Sequence, residues 1–180
     1  MVRSLSDLAE SAYKLAFKYE KEYGGCAQST LAGIFDTLKI RENNVFKSAT
    51  GLAGGIGLSG DGTCGALIGA AMAISYLFGR ERKNFADPQK RRFMTYKLVK
   101  QLYNAFLNEF GSCRCFDIQK RLMGRTFNLF DPNEYTAFLK AGGHEDKCTR
   151  VCGTAAKLAV NIILSVLKKK GRKNDIMSED

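Results

Sequence analysis

The sequence predicts an all-α fold: a single compact helical domain of about six or seven helices, with a glycine-rich loop before the central helix. Three observations predict it. Apolar residues recur at three- and four-residue steps over long stretches. No segment alternates apolar and polar residues, and no strand–helix–strand rhythm runs along the chain. The 180 residues include only two prolines, so little interrupts a helix. At this length, with 45% apolar residues, the chain is most simply one domain with a real core. That domain is expected over residues 1–170. Residues 171–180, GRKNDIMSED, read as a charged, disordered tail.

The elements follow in order. Ser4 to Tyr23 reads as a helix, because Leu5, Leu8, Ala12, Leu15, Ala16 and Tyr19 share one face. Gly24 and Gly25 stop it. Cys26 opens a second helix that runs through Ile40. Free backbone N–H groups and the helix dipole favour a thiolate at such a start. Residues 41–50 predict a short helix anchored by Val45 and Phe46.

The stretch Gly51 to Phe78 organises the rest. Its glycines imply a backbone that is closely approached or that needs positive φ. Cys64 then opens an apolar run with small residues at Gly65, Ala66, Gly69, Ala70 and Ala73. The run from Ala66 to Phe78 is 13 residues, the length of one buried helix and too short to span a bilayer.

Residues 80–86 form a polar, basic connector. Asp87-Pro88 predicts a helix start, with Asp87 as N-cap and Pro88 at the first helical position. That helix is expected to reach Phe110 and to bury Phe93, Tyr96, Leu98, Val99, Leu102, Tyr103, Phe106 and Phe110. Gly111 breaks it, and Cys113 and Cys115 follow before a short helix over 116–123. Asp131-Pro132 marks another N-terminus, with Glu134 at the capping-box position. After Gly142-Gly143 a loop carries His144, the single histidine. A last helix starts near Cys148 and runs to about residue 170.

The formal charge is +10. Basic residues gather at Arg80, Arg82, Lys83, Lys90, Arg91 and Arg92, and again at Lys168, Lys169, Lys170, Arg172 and Lys173. Such clusters suit an acidic redox partner such as a ferredoxin; otherwise they are solvated faces. No zinc-finger spacing or aromatic–basic string accompanies them, so nucleic acid is not expected. The N-terminal residues carry acids within an amphipathic pattern, unlike a secretory signal. The expectation is a cytoplasmic protein without a membrane span. There, six cysteines serve as ligands or redox thiols more readily than as disulfides.

Four of those cysteines share a setting. Cys26, Cys64, Cys115 and Cys148 each follow a glycine that stops a helix or loop, and each lies at or near the next helix start. Thiolates so placed can hold a redox centre, and nearby N–H groups tune it by donating to sulfur. An iron–sulfur cluster is the expected occupant.

The residues then become specific. Cys26-Ala27-Gln28, the run Ala49 to Ala70 with its Cys64-Gly65-Ala66-x-x-Gly69 core, Phe110-Gly111-Ser112 followed by Cys115, and Cys148 with Ala155-Ala156 occur in order. Together they resemble the C_GCAxxG_C_C family of redox-active proteins, over about residues 10–165. The resemblance implies a helical fold, a redox role, an iron–sulfur cofactor and the ligand set Cys26, Cys64, Cys115 and Cys148. A 2Fe–2S cluster is slightly preferred over 4Fe–4S, although both take four thiolates.

Cys113 and Cys152 look like additions to the family pattern. Cys148 and Cys152 are four apart and share a helix face. Cys152 reads as a small core residue, and Cys113 as ligand or bystander in equal measure. His144 is a lesser candidate ligand, as in Rieske-type centres. Zinc is less favoured, because 38, 51 and 33 residues separate the four cysteines rather than two to four. Gly55-x-Gly57-x-x-Gly60 matches a dinucleotide fingerprint but has no strand before it. Two other functions stay open: a metal-free thiol–disulfide protein using Cys113/Cys115 or Cys148/Cys152, and a reductase of a small molecule bound near the glycine loop.

Overall fold

The structure, a computed structural model, describes residues 4–169. The expected tail over 171–180 and the cations Lys170, Arg172 and Lys173 lie outside the described residues. Among the described residues there are eight α-helices and no strand. They are α1 (Leu5–Tyr23), α2 (Cys26–Thr37), α3 (Asn43–Ser48), α4 (Gly65–Phe78), α5 (Arg91–Phe110), α6 (Cys115–Met123), α7 (Pro132–Lys140) and α8 (Cys148–Lys169).

Local chemistry sets several of these boundaries. Ser4 and Asp7 cap α1 reciprocally, each side chain bonding the other's backbone N–H, at 3.1 and 2.9 Å. Gly24 and Gly25 both have positive φ, so the chain turns from α1 into α2 with no longer connection. Asp131 caps α7 by accepting the N–H groups of Asn133 and Glu134, and Pro132 takes the first helical position.

The core is built on close helix crossings. A Cβ at Gly33 would lie 2.6 Å from the backbone nitrogen of Ala16, where α2 meets α1. A Cβ at Gly69 would lie 2.2 Å from the carbonyl oxygen of Ala27, where α4 meets α2. Against this pair of crossings lies α8, which also packs on α5. Its stripe of Val151, Cys152, Ala155, Ala156, Ala159, Val160 and Ile163 is wholly buried. Each larger side chain buried in this way contributes about 1.5–3 kcal/mol. With the turn before it, α8 spans 26 residues from Gly143 to Lys168, long and apolar enough by length and composition to cross a membrane. In the structure its apolar stripe is taken up by α1, α2, α4 and α5.

Several expectations change. Asp87 has φ +56 and is not the N-cap of α5; the helix begins four residues later, after Lys90 at φ +54. The Asp87 carboxylate still serves that helix, accepting the N–H groups of Arg91 and Arg92 at 2.8 and 3.1 Å. Phe93 and Tyr96 are 49% and 59% exposed, so the apolar face of α5 narrows to Leu102, Phe106 and Phe110 plus partly buried neighbours. The helix opened by Cys26 ends at Thr37, because Lys39 takes a left-handed conformation. The Glu134 side chain accepts from Arg125 rather than from the N-cap backbone N–H. His144 lies on a π-helical turn, Gly143–Lys147, that runs directly into α8.

Candidate functional site

Five of the six cysteines line one cavity of about 390 Å³: Cys26, Cys64, Cys115, Cys148 and Cys152. Glu20, Gln119 and His144 share its wall, and among the described residues no lysine or arginine does. All six thiols are free.

Three constructions bring these groups together. The first is the α1–α2 corner. It sets Glu20 in the last turn of α1 and Cys26 in the first position of α2. The Cys26 sulfur accepts the N–H of Gly54 at 3.4 Å. Gly24 keeps the corner low enough for the His144 ring, since a Cβ there would lie 3.0 Å from its Cε1.

The second is a short antiparallel pairing between residues 60–64 and 113–116. Thr63 and Arg114 form an isolated bridge. The N–H of Cys64 donates to the Cys113 carbonyl at 2.7 Å, that of Cys115 to Gly62 at 3.0 Å, and that of Phe116 to Gly60 at 2.8 Å. Arg114 also pairs with Asp61 at 2.5 Å and with Asp117 at 3.0 Å. This pairing lays the starts of α4 and α6 side by side, so Cys64 and Cys115 face the cavity from adjacent helix ends.

The third is the α8 entry. Cys148 follows the π turn, and Cys152 lies one turn further along the same face.

Small residues of the Cys64-Gly65-Ala66-x-x-Gly69 run now have a spatial reason. A Cβ at Gly65 would lie 2.4 Å from the Cys26 sulfur. Gly65 gives the sulfur its place, and Gly69 brings the helix carrying that sulfur close.

Burial pushes the thiols up. The Cys64 and Cys115 thiols are each raised to about 12, by desolvation first and then by neighbouring thiols. The N–H groups of Ala66 and Leu67 at the start of α4 pull Cys64 back down, as does the Gln119 amide for Cys115, at 3.6 Å. Cys26, Cys148 and Cys152 are also raised well above the usual thiol value, from burial and then from the Glu20 charge. Cys26 and Cys148 keep some surface toward the cavity, yet protein surrounds both. Without a cation these thiols therefore hold their protons at neutral pH, and as thiols they are poor nucleophiles.

Glu20 was not among the sequence-predicted site residues. It is 2% exposed, and burial raises its carboxyl to about 7 against weaker lowering by Ser29 and Cys152. Its Oε1 lies 3.6 Å from His144 Nε2, and its Oε2 has no hydrogen-bond partner. Burial lowers the His144 pKa, so the imidazole is neutral and this contact is not an ion pair. The sequence carried a signal for Glu20: Leu8, Ala12, Ala16 and Glu20 form an i, i+4 ladder whose last rung is charged.

The sixth thiol stands apart. Cys113 is half-buried outside the cavity wall, beside Tyr103, whose hydroxyl pKa it raises by a hydrogen bond. Cys152 is both wholly buried in the core and on the cavity wall. His144 reaches the cavity at the side of Tyr135 and Phe138, its ring edge-on to both.

The donor set is soft and neutral until a cation draws its protons. Among the described residues no three His, Cys, Asp or Glu side chains are grouped closely enough to hold one metal ion. Thiols spread around a cavity suit instead a polynuclear centre, in which each metal takes only one or two protein ligands. The orphaned Glu20 Oε2 likewise fits a positive occupant.

These features define a helical protein built around a thiol-lined cavity. The chain belongs to the family described as "Putative redox-active protein (C_GCAxxG_C_C)", whose model matches residues 25–162. A protein of Archaeoglobus fulgidus described as uncharacterized is 31% identical over 118 residues, covering 63% of this chain and 78% of the relative. No solved structure matches the chain.

Proposed function

We propose that this protein is an iron–sulfur redox protein whose cluster is held by Cys26, Cys64, Cys115 and Cys148. One observation carries the reading: four thiols from distant segments meet at a single cavity that, among the described residues, offers them no lysine or arginine. When bound, such a cluster accepts and releases single electrons at a potential set by its surroundings. The chain supplies those surroundings. The Gly54 N–H steadies the Cys26 sulfur, and the Ala66 and Leu67 N–H groups favour the Cys64 thiolate. Leu58, Ile118, Phe138 and Val151 keep water from the sulfurs. Four thiolates match a 2Fe–2S cluster and a 4Fe–4S cluster equally, and a reducing cytoplasmic setting suits six free thiols.

An acidic protein is the proposed redox partner, drawn by the basic residues 80–92. These residues lie past the far end of α4 from Cys64; at about 1.5 Å per residue, that helix separates them by about 21 Å. A second reading, reduction of a small molecule, rests on the cavity size, which falls within the ~300–1,000 Å³ of ligand pockets. The raised thiol pKa values oppose metal-free thiol exchange.

The test is iron and acid-labile sulfide per chain, with a visible spectrum, on anaerobically purified protein. Near-stoichiometric iron and sulfide with charge-transfer bands are expected, and Cys64→Ser should lose most of the iron with little loss of helix. Protein that takes up no iron after reconstitution, or Cys64→Ser with unchanged iron, overturns the assignment.

A further inference from the structure

We propose that the Glu20 carboxylate is an oxygen ligand to the metal centre of this cavity, supplied by α1 in addition to the four thiolates. The inference rests on the iron–sulfur reading above and goes beyond it, because Glu20 lies outside the residues 25–162 matched by the family.

Glu20 is buried on the cavity wall with fewer partners than a buried carboxylate needs. Its Oε2 accepts no hydrogen bond. Ser29 and Cys152 hold the carboxyl only weakly, because each also faces a backbone carbonyl. Ser29 Oγ donates to the Gly24 carbonyl at 2.8 Å, and Cys152 Sγ points at the Cys26 carbonyl at 3.7 Å. His144 stands 3.6 Å from Oε1, beyond good hydrogen-bond length. Among the described residues no lysine or arginine lines the cavity.

Packing does not call for this residue. The three rungs below Glu20 on its face of α1 are Leu8, Ala12 and Ala16, all buried, and an apolar side chain would continue them at no electrostatic cost. A carboxylate kept here is accounted for by a cation in front of it. An iron centre supplies that cation, and carboxylate oxygen is an established ligand type for first-row metals. Four thiolates fill the usual protein positions of either cluster, so Glu20 would bind as an added ligand that raises the coordination number of one iron, and it need not converge with the sulfurs on one point.

The experiment compares wild-type protein with Glu20→Gln, both reconstituted with ⁵⁷Fe and sulfide, by Mössbauer spectroscopy and redox titration. Gln keeps the shape and removes the charge. The expected wild-type spectrum contains one iron subsite distinct from the thiolate-ligated iron. Glu20→Gln should lose that subsite and shift the potential upward, because an anionic ligand is gone. Identical spectra and potentials in two iron-loaded proteins overturn the Glu20 assignment and leave the iron–sulfur reading standing. Wild-type protein without iron overturns both. Should Glu20→Gln not fold by circular dichroism, Glu20→Asp is read instead. Its shortened carboxylate should alter the subsite, and an unaltered subsite again overturns the proposal.

Discussion

Replacing Gly65 by alanine separates the site from the fold. The added Cβ would stand 2.4 Å from the Cys26 sulfur, 3.0 Å from the Leu52 carbonyl oxygen and 3.1 Å from the Ala27 nitrogen. Non-bonded heavy atoms settle at about 3.5–4.0 Å, so the sulfur must retreat by about 1 Å or more. A metal–ligand distance tolerates only about 0.2 Å. The fold is less affected. Overpacking of this kind costs about 1–3 kcal/mol. A better helix former offsets up to about 1 kcal/mol of that. The net loss, about 0–2 kcal/mol, lowers Tm by at most about 8 °C in a chain of this size. The assay is iron and sulfide per chain beside a thermal melt by circular dichroism. The expected variant is folded at 25 °C and holds only a small fraction of wild-type iron. A folded Gly65→Ala protein with full iron and an unchanged visible spectrum would refute the reasoning that Cys26 is a ligand held in place by Gly65.

Gly69→Ala should do the reverse of Gly65→Ala. Its Cβ would meet the Ala27 backbone oxygen at 2.2 Å, which no side-chain rotation relieves, so the metal-free protein should lose at least about 1–3 kcal/mol and melt several degrees lower. An unchanged melt would show that α2 and α4 do not depend on this contact. Cys113→Ser should leave iron content as it is, because that thiol is off the cavity wall; iron loss would place Cys113 in the ligand set. Metal-free protein should weaken in alkali. Cys64 and Cys115 rise from 9.0 to about 12 in the fold, so the native state keeps protons that the unfolded chain releases. The thiol contribution is therefore full below pH 9 and declines as pH climbs toward 12. At pH 10 the loss is about 1 kcal/mol for each such thiol. Urea melts at pH 8 and pH 10 measure it, and equal midpoints would mean the thiols are not desolvated.

Much of this was legible because glycine is a strong punctuator. Gly24-Gly25 and Gly111 end helices in the structure as they do on the page, so the starts at Cys26 and Cys115 could be read directly. Asp87-Pro88 misled for a local reason. The pair sits in a turn, with Asp87 left-handed, and its carboxylate reaches the helix from four residues upstream. Phe93 and Tyr96 misled because aromatic content stood in for a face. The apolar ladder of α1 in the sequence runs through Tyr19, whereas in the structure Glu20 takes the buried rung and the Tyr19 hydroxyl donates to Asp36 at 2.7 Å. The separation of Cys113 from Cys115 is a matter of geometry. Cys115 begins α6 on the cavity wall, while Cys113 precedes the turn and gives its carbonyl to Cys64. Spacings of 38, 51 and 33 residues say nothing of which sulfurs meet.

The pairing of residues 60–64 with 113–116 means that Cys64 and Cys115 travel as one piece, tied by backbone bonds that need no occupant. The α1–α2 corner is a second piece carrying its own sulfur, and the entry to α8 is a third. An occupant touching all three binds only after they have docked, and each docked arrangement is in turn held by the occupant. Tertiary assembly and cavity loading are thus one equilibrium. A ligand at a hundredfold excess over its Kd would add about 2.7 kcal/mol to the docked state. The cavity works as a clasp on the fold as well as a container within it.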